Sequence, residues 1–464
     1  MRMTTSFFYS LRAIGILMLT LLACIACAPL AAQTFTEALT RTYLTHPELA
    51  AQRANLRALN EDVNTALSGW RPTVSASAGV GRNLNTATQP YGSPTVMHHT
   101  PSDVTLTASQ PLINWTTQPK VEAAEARVMQ GRAELVTTEQ SVLLAAAQAY
   151  VDVVRNRELL RLHEINEQGL LQQIDYRREY FKRQLGTGTE LAQAQARHAA
   201  AKAQLERVRM QLATAVGAFR RMTGLPPGKQ MQLPEGLPPL PDDMEAIVAN
   251  AVYAMPSVRS AFYGVLAARA DVEAARGGLK PTVTLDASTS RHRHPNYVTP
   301  SQHEATIKLT LRIPFYQGGS DWSSVRGNRQ RELQQQMQLS NSRLKARYDA
   351  SEAWFGLAAA QAEIDAFRIA IAANKEAYEG VREQHAVLGE LTLLEVLNAR
   401  QELFSSEVSF VEARSRAAIS HLQLLAVQGR LTAEGLDLPV ASYDPVQDFE
   451  QTRGRWIGDD TPEG

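Results

Sequence analysis

Three short stretches of this chain carry residue types that could do chemistry. His98-His99 and Arg291-His292-Arg293-His294 could offer imidazole nitrogens to a metal ion. Both lie in polar, turn-rich segments with no acidic cluster beside them, so they read as surface loop and no metal site is assigned. Gly186-Thr187-Gly188-Thr189 has the small residues of a phosphate-cradling loop, but it lacks the lysine and follows a helical pattern where a strand is needed. The two cysteines, Cys24 and Cys27, fall inside an N-terminal apolar run. No Ser/His/Asp set and no carboxylate pair has a context that suggests catalysis. The chain is read as no enzyme, with no catalytic residue and no cofactor.

The elements that carry these stretches come in two copies. Arg71-Pro72-Thr73-Val74 returns as Lys280-Pro281-Thr282-Val283, and His46-Pro47-Glu48-Leu49 as Met255-Pro256-Ser257-Val258, both 209 positions later. Gln110-Pro111-Leu112 returns as Ile313-Pro314-Phe315, and Leu185-Gly186 as Leu388-Gly389, 203 positions later. The offset shrinks between the two strands that each copy carries, which places a longer surface loop in copy one.

Each copy opens with an amphipathic helix, over 36–68 and again over 243–276, and Pro72 and Pro281 end these helices. Alternating residues follow, with Val74, Ala76, Ala78 and Val80 against Thr73, Ser75 and Ser77. Strict period two predicts strands with one apolar and one polar face, at 73–82 and 103–112 and again at 282–290 and 304–315. The loops between them, 83–102 and 291–303, read as polar turns. Pro111 and Pro314 close the return strands, so that all four prolines mark helix–strand junctions. Trp115 and Trp322 stand just past a strand, where a membrane-interface anchor and junction packing are both open readings.

Long helical hairpins come next, over 116–222 and 319–431, each broken once, at Leu185-Gly186-Thr187 and at Leu388-Gly389-Glu390. The first limb would extend about 100 Å at about 1.5 Å per residue. Glycine suits the breaks because a reversal often needs positive φ. The organisation is therefore a first repeat at 33–224, a proline-rich linker at 225–242, a second repeat at 243–431 and a tail at 432–464.

Residues 1–32 read as a cleaved export signal ending at Ala31-Ala32, which would leave a mature chain without thiols. Lipidation at Cys24 is the alternative. Lys and Arg number 47, as do Asp and Glu, so no nucleic-acid partner is expected. Strands of about ten residues suit a tilted membrane-spanning strand, but four cannot close a barrel and lipid does not tolerate an open edge. Three chains sharing about twelve strands satisfy both constraints. The rival reading is a structural coiled-coil protein of the envelope.

Thr36-Glu37-Ala38-Leu39 through Leu49, Ala66–Val74, Gln110-Pro111-Leu112 and Leu388–Leu403 together resemble TolC-like outer-membrane efflux proteins over nearly the whole chain. The stretch from Tyr443-Asp444-Pro445 through Trp456-Ile457-Gly458 resembles the branch serving type I secretion. The resemblance implies an α+β membrane protein that forms a homotrimer in the outer membrane lipid, with a shared 12-strand β-barrel and a 12-helix periplasmic α-barrel. It implies a passive exit duct for secreted protein or small molecules. The partners would be a periplasmic adaptor docked on the hairpin tips (Leu185, Gly186, Thr187, Leu388, Gly389, Glu390) and an inner-membrane ABC exporter or proton-driven pump. The family's two acidic gate positions fall on Glu395 and Asn398, with Glu190 as the equivalent in copy one. Its tyrosine and arginine latch falls on Ala386 and Leu391, so that latch is expected to be missing.

Overall fold

The computed structural model of the chain describes residues 34–87, 90–91, 93, 95–241, 243–296, 298–384 and 393–459. Cys24, Cys27, Ala386, Leu388, Gly389, Glu390 and Leu391 lie outside these residues. Helix α1 (Phe35–Thr45) starts at a reciprocal cap, in which the Thr34 hydroxyl accepts from the Glu37 N–H and the Glu37 carboxylate accepts from the Thr34 N–H. Helix α2 (Pro47–Leu67) follows at once. The single helix expected over 36–68 is thus two, as is its counterpart, which divides into α5 (Met244–Ala254) and α6 (Pro256–Gly277). The cause is the proline, which holds His46 at φ −72°, ψ 123° and Met255 at φ −62°, ψ 124°. A proline ring excludes the helical region for the residue before it, yet fits the first position of a new helix.

Strands β1 (Thr73–Val80), β4 (Ser102–Ile113), β5 (Thr282–Arg293) and β6 (Ser301–Arg312) form one antiparallel sheet in that order. The central pairing joins the two copies, with Ala108 opposite Ala287. The register slips between Pro111 and Ile113, where the ladder loses a proline N–H. Copy one also carries a ribbon of β2 (Asn83–Ala87) and β3 (Thr95–His99) in the segment read from sequence as loop. Its five-residue strands mix turn-prone Asn with strand-favouring Thr and Val and show no strict alternation, and cross-strand pairing holds them extended.

Helix α3 (Thr117–Lys182) has 66 residues, about 99 Å at the usual helical rise. Helix α4 (Gly188–Thr223), with 36, returns along its lower half. Helices α2 and α6 flank the upper half of α3, where Gly131 takes the Leu56 and Leu59 side chains against its backbone. In copy two, α7 (Ser320–Glu383) and α8 (Leu393–Val427) pair in the same antiparallel way. The seams are alanine-rich, with Ala123, Ala124, Ala146, Ala147, Ala350 and Ala353 buried, which lets helix backbones approach closely.

The main core lies midway down, where Tyr150 of α3 meets Phe35 edge-on at 5.4 Å and Phe219 of α4 at 6.2 Å. Leu39, Leu49, Leu56, Leu422, Leu425 and Leu431 are fully buried around them. The tail closes this core. Helix α9 (Pro445–Thr452), absent from the sequence reading, is capped by Asp444 and packs on α2. Asn60 donates to the Asp448 carboxylate, and Asn64 donates to the Thr452 carbonyl.

Candidate functional site at the far end of the helical hairpins

The first tip is built by a capping box and one buried cation. The Thr187 hydroxyl accepts from the Glu190 N–H, and the Glu190 carboxylate accepts from the Thr187 N–H. That carboxylate also lies 3.1 Å from the Arg177 guanidinium, whose side chain is only 9% exposed. Arg177 in turn sits over the stacked rings of Tyr176 and Tyr180. Glu190 therefore locks the turn onto α3, whatever else it does. Leu185 projects from the tip, 62% exposed.

Positive φ is needed here, but at Gln184 (φ 59°) and not at Gly186. The expected reason for glycine at this tip is thereby corrected, because Gln184 supplies the left-handed residue that ends α3. A Cβ on Gly186 would meet only ordinary contacts near 3.5 Å.

Above the tips the two copies touch. Glu395 and Asn398, three residues apart on α8, are both exposed on one face, while Val396 and Leu397 turn inward. The Asn398 side-chain oxygen accepts from Arg197 of α4 at 3.3 Å. Arg400 donates to the Ile165 carbonyl of α3 at 3.1 Å. Its guanidinium lies across Gly169, where any Cβ would overlap it. His163 of α3 meets Phe404 of α8 edge-on at 5.0 Å, and burial pushes its imidazole below the ordinary value, which keeps it neutral at pH 7. A cavity of about 410 Å³ between the copies is lined by His163, Asn166, Arg197, Gln204, Asn398 and Arg400. Sequence reasoning singled out Asn398 but missed Arg197, Arg400 and Arg177. Gly169, isolated in a helical pattern, is the one local signal of a close approach.

At the other end of the molecule, alternation and pairing register give the sheet two unlike faces. Val74, Val104, Leu106, Leu285, Ile307, Leu309 and Leu311 share one face and are all exposed. On the opposite face the Asp286 carboxylate accepts from Ser109, Thr284 and Thr310. Strands β1 and β6 each leave an edge without a partner among the described residues. At the sheet–helix junction Trp115 stacks under the Lys280 ammonium at 4.8 Å, its backbone pressed on Gly277, while Trp322 is 59% exposed.

The sequence that builds this sheet and these paired helices matches one family model, described as outer membrane efflux protein, over residues 39–225 and 249–430. The chain belongs to the outer membrane efflux protein family. It is 31% identical to the outer membrane efflux protein BepC of Brucella suis biovar 1, over 93% of each chain. It is 25% identical to the proteases secretion protein PrtF of Dickeya chrysanthemi, over 72% of this chain and 73% of that one. The solved CmeC outer membrane channel of Campylobacter jejuni has the same fold, at a TM-score of 0.77 and 16% identity over 90% of this chain and 89% of that one. The TolC-like resemblance thus holds, and membership places this efflux protein in the outer membrane as a channel-family chain of α+β fold. No helix among the described residues is long and apolar enough to cross a membrane.

Proposed function

We propose that three copies of this chain close a shared 12-strand β-barrel continued by a 12-helix periplasmic tunnel, and that the assembly is the exit duct of a tripartite export system. The observation that carries this reading is the four-stranded sheet, apolar and exposed on one face and, among the described residues, unpaired at β1 and β6. Unpaired backbone in lipid costs several kcal/mol per group, and pairing β6 of one copy with β1 of the next removes that cost. The polar face with Asp286 and its hydroxyl partners then lines a wet lumen.

The hairpin tips, Leu185, Gly186 and Thr187 with Leu388, Gly389 and Glu390, would receive a periplasmic adaptor. Glu395, Asn398 and Glu190 would stand at the gate, where the bonds of Arg197 and Arg400 between the two repeats of one chain would favour a closed state. The adaptor would couple the duct to an inner-membrane ABC exporter, a reading supported by the likeness to a protease secretion protein. The likeness to an efflux protein supports a second reading, small-molecule efflux with a proton-driven pump.

The reading predicts a heat-modifiable trimer on gels and discrete channels in planar bilayers; a monomer without conductance would overturn it. Deleting the gene should abolish extracellular export of a substrate protein if the partner is an ABC exporter. Loss of tolerance to toxic small molecules with export intact would favour the pump.

A further inference from the structure

The apolar face of the sheet ends in cations. On β5 the residues of that face run Val283, Leu285, Ala287, Thr289, Arg291, Arg293, and on β6 they run Leu311, Leu309, Ile307, Ala305, His303, Ser301. Pairing is continuous from Thr282 to Arg293, with no bulge to turn the last rungs over. Arg291 lies between Val104 and His303, and Arg293 between Ser102 and Ser301. All three basic side chains are exposed, and neither arginine has an acidic partner among the described residues. The acids at this level, Asp103 and Glu304, fall by alternation on the polar face.

The height of the rim fits an interface. Ile313 and His303 stand ten positions apart. At about 3.4 Å per residue and a tilt of about 40°, that span rises about 26 Å, against an apolar band of about 25 Å in outer-membrane barrels. Exposed guanidinium groups just past that band, at the end remote from the helices, meet the headgroup layer of the outer leaflet.

We propose that Arg291, Arg293 and His303 form a binding rim for the phosphate groups of a glycolipid in the outer leaflet. Two guanidinium forks side by side offer bidentate donors to phosphate oxygens, and the imidazole adds another. The site rests on the barrel reading above, since only a lipid-facing rim meets lipid phosphate.

The test is native mass spectrometry of the detergent-purified, full-length trimer titrated with bisphosphorylated lipid A, with dephosphorylated lipid A and with inorganic phosphate. The wild type should retain the phosphorylated lipid about tenfold better than the dephosphorylated one, as expected for losing charge-assisted contacts. The double variant R291Q/R293Q, checked to remain a heat-modifiable trimer, should lose that preference. Equal retention of both lipids by the wild type overturns the rim, and needs no variant to fold. Inorganic phosphate binding as tightly as the lipid overturns it too, by making the cluster a free-anion site. If no trimer forms, the barrel reading falls together with the rim, whereas a trimer indifferent to phosphorylation removes the rim alone.

Discussion

Glu139 sits about a third of the way along α3 with its carboxylate accepting the Ala433 N–H at 2.7 Å. Burial pushes its carboxyl above the ordinary value of 4.5, while the Ala433 N–H and Arg53 pull the other way. A raised folded-state value means that the folded protein holds this proton more tightly than the unfolded chain. The stability it contributes is full below about pH 4.5 and is lost as pH rises through the folded value. E139Q keeps the acceptor and removes the buried charge, so its thermal midpoint should match or exceed the wild type at pH 7.5 and converge with it at pH 4. E139A leaves the buried Ala433 donor unpaired and should lower stability at both pH values by about 1–3 kcal/mol.

The residues proposed for the gate give a second prediction at this scale. R400A removes the bond to the Ile165 carbonyl, and E395A removes a charge from the exposed face of α8. In bilayer recordings R400A should raise leak conductance, and E395A should alter block by divalent cations. Wild-type conductance and block in both variants would remove these residues from the gate. The shared exposed face of Glu395 and Asn398 was legible in the sequence, through their three-residue spacing in a helical pattern. Arg197 and Arg400 were not, because each finds its partner more than 200 positions away.

At the scale of elements, the alternation in β1 and β4–β6 was readable because period two reports a sheet with two unlike faces. The two faces predict opposite outcomes for one chemical change at neighbouring positions. I307R places a guanidinium on the apolar face and should cost up to about 2–4 kcal/mol at mid-depth, seen as loss of heat-modifiable protein from outer membranes. T306R, on the polar face, should assemble normally and change only conductance. Similar assembly of the two variants would mean that the face does not meet lipid. The helix break at His46 was present in the sequence twice, as Pro47 and as the six-residue step from Tyr43 to Leu49, which is not a helical interval and falls across it. The ribbon β2–β3 was hidden because its two five-residue segments show no strict alternation, although Thr95 and Val96 favour a strand.

For the molecule as a whole, the tail links the core to the sheet end. Arg71, just before β1, donates to the Arg455 carbonyl at 2.8 Å and stacks on Trp456 at 4.8 Å, while Arg453 reaches Glu125 of α3. Removing residues 444–464 should therefore lower the thermal midpoint and the yield of trimer, because Asn60 and Asn64 would lose partners they have in the core. N64A in the full-length chain should reproduce part of the loss. A truncated chain as stable as the full one would show the tail to be an ornament of the surface.

The sequence by itself determined the duplication, the strand faces, the long limbs and the places where proline or a tip interrupts them. Each of these is a local period or a local backbone constraint, repeated within a few residues. Only the tertiary structure decided that β4 of one copy pairs with β5 of the other, that Arg400 passes over Gly169, and that the tail seals the core through Asn60 and Asn64. Those contacts join segments far apart in the chain. A periodic pattern says which face of an element must be covered, but the covering partner is chosen by complementary shape and by unpaired polar groups that no local pattern encodes.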